Sequence, residues 1–220
     1  MNLDRYHHIL ATLAPNHAHL VAVSKTKPEA DIMILYHLGQ RIFGENKVQE
    51  MAAKYEALPK DIEWHLIGHL QSNKVKYIAP FVSMVHSIDS LKLLSEIDRQ
   101  AKKNNRTIRC LLQIHISDEE TKFGLDEREV DELLSDPSFI ALKNIEIVGL
   151  MGMASHTTDT SKIESEFVRL QKLFVSLKSH YFLNKPTFSE LSMGMSSDYL
   201  IALQHGATLV RIGSDIFGER

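Results

Sequence analysis

Apolar residues fall into eight short runs: LVAVSK (20–25), RIFGEN (41–46), EWHLIG (63–68), MVHSID (84–89), RCLLQIHIS (109–117), IEIVGLMG (145–152), FSELSMG (188–194) and LVRIGS (209–214). Runs of this length, bounded by turn residues, predict strands. Between them lie stretches whose apolar positions repeat with helical period, at 30–38, 46–58, 91–102, 128–134, 163–179 and 197–207. Asn46 and Ser197 stand where the N-caps of their helices are expected. Strand alternating with helix predicts a parallel sheet. Eight such units without a compositional break predict an α/β fold, a closed (β/α)8 TIM barrel forming one domain over 1–220. Residues 1–19 then make a leading N-terminal helix, with HHILATL as its apolar part. The rival, an open doubly wound sheet, wants a glycine-rich turn after the first strand. SKTKPE stands there instead.

Composition narrows the function classes. The 220 residues are 44% hydrophobic and 24% charged, with a formal charge of -3. That balance, with no basic block beyond the short KKNNR at 102–106, argues against nucleic acid as a partner. The start MNLDRYHHIL lacks the basic-then-apolar layout of a signal peptide. No apolar run approaches the ~18 residues of a membrane span. A cytoplasmic location and no membrane partner are therefore expected. The single cysteine, Cys110, sits within an apolar run, where a buried core thiol is expected.

In such barrels chemistry collects at the carboxyl ends of the strands. If strand alternation holds, Val21, Val23 and Lys25 share one face, which places an amine at the barrel rim. A lysine there either extends its head into water or, partly desolvated near other cations, becomes a nucleophile toward carbonyls. LSMGMSSD, after strand seven, sets Ser192, Met195 and Ser196 around a glycine turn. It reads either as a capped helix start or as a cradle of amides and hydroxyls for an anion. Arg211, in the middle of strand eight, needs a partner for its guanidinium, from a helix carboxylate or from a ligand in the barrel mouth. Together these residues suit pyridoxal phosphate, which requires a Schiff-base lysine, a phosphate site and a partner for its pyridine nitrogen.

Several motifs carry a resemblance: VAVSKTKP, FGENKVQE, WHLIGHLQSNK, ISDEETKFGL, GLMGMA, LSMGMSSD and VRIGSDIFGER. In order and over nearly the whole chain, they resemble the pyridoxal phosphate homeostasis protein family, whose barrel is like the N-terminal domain of alanine racemase. The resemblance implies that Lys25 is the Schiff-base lysine, that Asn46 lies near the cofactor, and that Ser196 and Gly213 belong to the phosphate site. It also sets Arg211 against the pyridine nitrogen. Ser192 and Met195, from the LSMGMSSD stretch itself, are expected among the cofactor contacts as well. Lys47 departs from the tyrosine more common after GEN.

Other candidates fit blander roles. His65 and His69 have the spacing of a metal pair but straddle a strand end and its turn, which favours hydrogen bonding at the rim over zinc. Trp64 reads as packing. Gln71, Ser72 and Asn73 fit either the mouth or the start of the next helix. Lys122 competes with Lys25 as an aldehyde-reactive amine, against a default reading as a solvated loop lysine. Met151, Met153 and Met193 read as soft lining and core.

Two functions follow. The first is a non-catalytic binder that holds pyridoxal phosphate as a lysine Schiff base in vitamin B6 homeostasis, with amino acids and apo-enzymes as further partners. The second is a racemase or decarboxylase using the same cofactor. The related racemases add a second domain that supplies a tyrosine acid/base, and this chain, ending at Arg220, is expected to lack it. An arginine against the ring nitrogen also disfavours carbanion chemistry. A weaker third reading is a phosphosugar enzyme in which Lys25 attacks the substrate.

Overall fold

The computed structural model describes residues 1–117 and 123–218. Helix α1 (Leu3–Leu13) leads, followed by β1 (His19–Val23), α2 (Glu29–His37), β2 (Ile42–Glu45), α3 (Val48–Ala57) and β3 (Glu63–Leu66). Next come α4 (Val75–Ile78), β4 (Met84–Ile88), α5 (Leu91–Lys103), β5 (Ile108–Ile114), α6 (Glu127–Ser135), α7 (Pro137–Ile140) and β6 (Ile145–Gly152). The chain continues through α8 (Thr160–His180), β7 (Glu190–Ser192), α9 (Tyr199–Gln204), β8 (Leu209–Ile212) and α10 (Ser214–Phe217). The strands are all parallel, run in sequence order and close where β1 pairs with β8. This is the (β/α)8 barrel that the alternation predicts.

Alternation along each strand divides the side chains between two layers. Val21, Met84, Leu111, Val148, Met151 and Leu209 fill the barrel interior. Ala22, Phe43, Trp64, Leu66, Cys110 and Leu112 face the helices and join the larger core. Each large side chain so buried contributes about 1.5–3 kcal/mol. Burial pushes the Cys110 thiol upward, so it stays protonated and inert.

The leading helix is shorter than expected. α1 is capped by Asn2, whose side chain accepts from the Arg5 amide at 2.9 Å, and it buries Tyr6, Ile9 and Leu13 at helical spacing. Arg5 pairs with Asp215 at 2.9 Å, tying this helix to the segment after β8. The strands also stop early. β1 ends at Val23, so Ser24 and Lys25 belong to the turn above it. Neither Asn46 nor Ser197 caps its helix. Lys47 holds the N-cap position of α3, while Asn46 lines the mouth. Asp198 precedes α9, and its carboxylate accepts from the Met195 amide at 2.6 Å, bracing the turn before it. Ser72–Lys74 forms a 3-10 turn that leads into α4.

Candidate functional site

The loops at the carboxyl ends of the strands enclose a cleft of about 790 Å³. Lys25, Asn46, Met195, Ser196, Arg211 and Gly213 all line it. Ser192 does not. Its hydroxyl is fully buried beneath the cleft, where it accepts from Arg211 Nη1 at 2.6 Å. Thr26, Lys27, His156 and Ser214 also border the space. Ser214 was legible as the neighbour of Gly213, whereas His156 lies in a polar loop with no pattern to mark it. Lys122 lies outside the described residues.

Backbone geometry explains the glycines of the phosphate-like corner. Gly194 has φ +91°, and a Cβ there would come within 2.7 Å of the Ala202 Cβ, so only glycine lets the turn close onto α9. A Cβ on Gly213 would stand 2.9 Å from the Val23 carbonyl oxygen. Between these close approaches, the Ser214 hydroxyl donates to Ser196 Oγ at 3.0 Å. The Ser196 and Ser197 amides have no hydrogen-bond partner among the described residues. Free amides beside hydroxyls, at a turn that can approach a ligand closely, are suited to phosphate oxygens.

Arg211 is 5% exposed, and its Nη2 donates to the Gly152 carbonyl at 3.0 Å. No carboxylate pairs with it among the described residues, and burial pushes its pKa down to about 10, against a smaller opposing pull from Asp198. Burial in turn raises Asp198 above the usual carboxylate range. A buried cation without an ion-pair partner calls for an acceptor in the cleft.

Below Ser192 the polar chain continues. His86 Nδ1 lies 3.0 Å from the Ser192 hydroxyl, and His86 Nε2 lies 3.0 Å from His65 Nδ1. The buried Ser192 hydroxyl has one hydrogen to place, and His86 Nδ1 is its acceptor among the described residues. His86 then donates through Nε2 to His65, and His65 Nε2–H ends the chain without a partner. His65 borders a second cavity, of about 740 Å³, at the amino-terminal floor of the barrel. Burial, assisted by the Arg109 charge, pushes its pKa down to about 3, and burial holds His86 well below its ordinary value too. His65 is therefore an interior residue rather than a rim residue. His69, by contrast, is at the rim, 3.5 Å from Asp89 and stacked on Phe123. The two histidines lie in different environments, and no metal-ligating cluster exists among the described residues. His86 was missed because its run, MVHSID, reads as ordinary strand.

A fourth group of polar residues sits outside the barrel wall, beneath Lys25. Glu45 is fully buried and accepts from the Ser24 hydroxyl at 2.6 Å and from Lys54 Nζ at 2.7 Å. Lys54 also donates to Glu50 and to the Ser24 carbonyl, each at 2.8 Å. Burial raises the Glu45 carboxyl, with Lys54 and Ser24 pulling the other way. Burial also pushes Glu50 up, but the bonds from Lys54 and the Thr26 amide outweigh it and leave Glu50 below its ordinary value.

The family model for the alanine racemase N-terminal domain matches residues 2–220. A protein of Aquifex aeolicus named pyridoxal phosphate homeostasis protein is 40% identical over 93% of this chain and 88% of its own length. A namesake in Synechocystis is 39% identical over 98% and 97%. The chain belongs to the pyridoxal phosphate homeostasis protein family. Among solved structures, PipY of Synechococcus elongatus PCC7942 without pyridoxal phosphate is 35% identical, with TM-score 0.88 over 98% of this chain and 99% of that one. The same protein with pyridoxal phosphate bound gives 0.86. Alanine racemase of Bartonella henselae, at 19% identity and TM-score 0.66 over 96% of this chain and 59% of that one, shares the fold. No helix among the described residues is long and apolar enough to cross a membrane.

Proposed function

We propose that this chain binds pyridoxal phosphate covalently on Lys25 and serves the homeostasis of that cofactor in the cytoplasm rather than catalysing a reaction of its own. One observation carries the reading. Lys25, the Ser196 turn and an arginine that meets no carboxylate among the described residues share a single cleft. When bound, pyridoxal phosphate supplies an aldehyde that captures amines and a ring that can delocalise charge.

The chain's residues divide the work of holding it. Lys25 provides the amine for attachment. Ser196, Ser197, Gly213 and Ser214 receive the phosphate through amides and hydroxyls. Arg211 would donate to the pyridine nitrogen, and Met195 and Asn46, which line the same cleft, would contact the cofactor. Ser192 acts from below, by fixing Arg211. Because a guanidinium does not give up its proton, a ring nitrogen facing it would stay unprotonated and the ring would be a poor electron sink. That supports a holder of the cofactor over a racemase or decarboxylase. Amino acids, as free amines, are natural displacing partners, and apo-enzymes are natural recipients.

The test loads the chain with pyridoxal phosphate and mixes it with an apo-enzyme that requires this cofactor. Recovery of that enzyme's activity, without racemisation or decarboxylation of alanine, serine or glutamate by the loaded chain, is the expected result. Turnover of an amino acid by the chain at about one per second or faster, lost in Lys25→Ala, would establish an enzyme instead.

A further inference from the structure

We propose that Glu45, Glu50 and Lys54 form a positioning clamp that holds the Ser24–Lys25–Thr26 turn in the conformation that aims Lys25 into the cleft. The proposal rests on Lys25 being the point of attachment. Its basis is the way the residues on either side of Lys25 are fixed. The Ser24 amide donates to the Gly44 carbonyl at 3.0 Å, and its hydroxyl donates to Glu45. Its carbonyl accepts from both Lys54 Nζ and the Lys27 amide. On the other side, Thr26 has φ +64°, a left-handed conformation that a β-branched residue adopts only under constraint. The Thr26 amide donates to Glu50 Oε1, the same oxygen that accepts from Lys54.

The clamp spans two elements. Glu45 ends β2, while Glu50 and Lys54 occupy successive turns of α3, four residues apart on one helix face. Lys54 joins them, and each of its three ammonium hydrogens has an acceptor, in Ser24 O, Glu45 and Glu50. Burying such a pair is a poor route to stability, since well-packed apolar residues commonly do as well or better. Its place here is explained by what it restrains, a strained turn bearing a nucleophile.

The step served by this geometry is simple. The deprotonated Lys25 nitrogen adds its lone pair to the aldehyde carbon, a C–N bond forms, and the carbonyl oxygen leaves as water with the two protons the nitrogen gives up. The rate of that addition depends on where the turn places the nitrogen. Affinity for the phosphate and ring depends on other loops. The clamp should therefore separate the rate of covalent capture from noncovalent affinity.

The experiment compares the parent chain with Lys54→Met, Glu50→Gln, Thr26→Gly and the pair Glu50→Gln with Thr26→Gly. Capture of pyridoxal phosphate is followed by quenching with borohydride and weighing the protein. Affinity is measured with pyridoxine 5′-phosphate, which carries an alcohol in place of the aldehyde. Lys54→Met and Glu50→Gln should slow capture on the order of tenfold while leaving analogue affinity unchanged. Glycine at position 26 relieves the left-handed constraint and should restore most of the rate in the Glu50→Gln background. Capture at the parent rate, a parallel loss of analogue affinity, or no recovery with Thr26→Gly would overturn the clamp. An adduct mapped to another lysine in the parent chain would instead overturn the attachment to Lys25.

Discussion

Arg211 and Ser192 meet at 2.6 Å, guanidinium to hydroxyl, and this contact joins the cleft to the polar interior of the barrel. Ser192 and the Gly152 carbonyl fix the plane of the guanidinium, and neither neutralises it. Through Ser192 the contact runs on to His86 Nδ1, 3.0 Å away, so the arginine at the mouth and the buried histidines share one chain of hydrogen bonds. It also leaves in the cleft wall a charge that no carboxylate among the described residues pairs with.

Arg211→Met separates ligand affinity from fold stability. Removing a hydrogen bond from a charged group should weaken retention of pyridoxal phosphate by about 1.5–3 kcal/mol. The same change removes a buried charge that lacks an ion-pair partner, so the cofactor-free protein should unfold at the same or higher denaturant concentration. Parallel urea melts and equilibrium dialysis read the two effects. A large drop in stability with unchanged retention would place the arginine in the scaffold rather than the site.

Ser196→Ala tests the phosphate corner. The hydroxyl is one of several donors there, so its loss should weaken retention by about 1–2 kcal/mol. Pyridoxal, which lacks the phosphate, should be held far more weakly than pyridoxal phosphate by the parent chain. Equal retention of the two aldehydes would move the phosphate site elsewhere.

The buried histidines set an acid limit on stability. Their folded pKa values lie below the unfolded value near 6.5, with His65 pushed down to about 3. The unfolded chain therefore binds more protons between these limits. Stability is fully present above pH 6.5 and falls as pH drops toward the folded values, by roughly 1.4 kcal/mol per pH unit for each proton taken up. Urea melts between about pH 7 and pH 4.5 should show this slope, and it should shrink in His65→Gln. A flat profile in the parent chain would contradict the buried neutral pair.

The barrel was legible because eight apolar runs alternate with helical periods, and parity along β1 puts Val23 and Lys25 on the cleft wall. The glycine and serine spacing of LSMGMSSD and RIGSD marked the corner of the cleft formed by Ser196 and Gly213. What remained illegible depends on contacts between elements distant in sequence. Ser192 looked like a rim residue because it opens the turn motif LSMGMSSD, whereas it is the last residue of β7 and its hydroxyl lies beneath Arg211. The Asn46 cap failed because α3 begins one residue later than the pattern implied, with Lys47 at its N-cap and Asn46 left in the wall of the mouth. Lys54 read as an ordinary helix lysine, and nothing local shows that it points inward to Glu45. His65 and His86 lie on different strands, and only closure of the barrel brings them within 3.0 Å.

The most direct measurement is the site of covalent attachment. Equimolar pyridoxal phosphate is added to the full chain, the mixture is reduced with borohydride, and the peptides are mapped by mass. The expected result is one pyridoxyl group on the peptide bearing Lys25, absent from Lys25→Ala even though that variant still binds pyridoxine 5′-phosphate. Labelling chiefly at Lys122 or any other lysine, or undiminished labelling of Lys25→Ala, would contradict it.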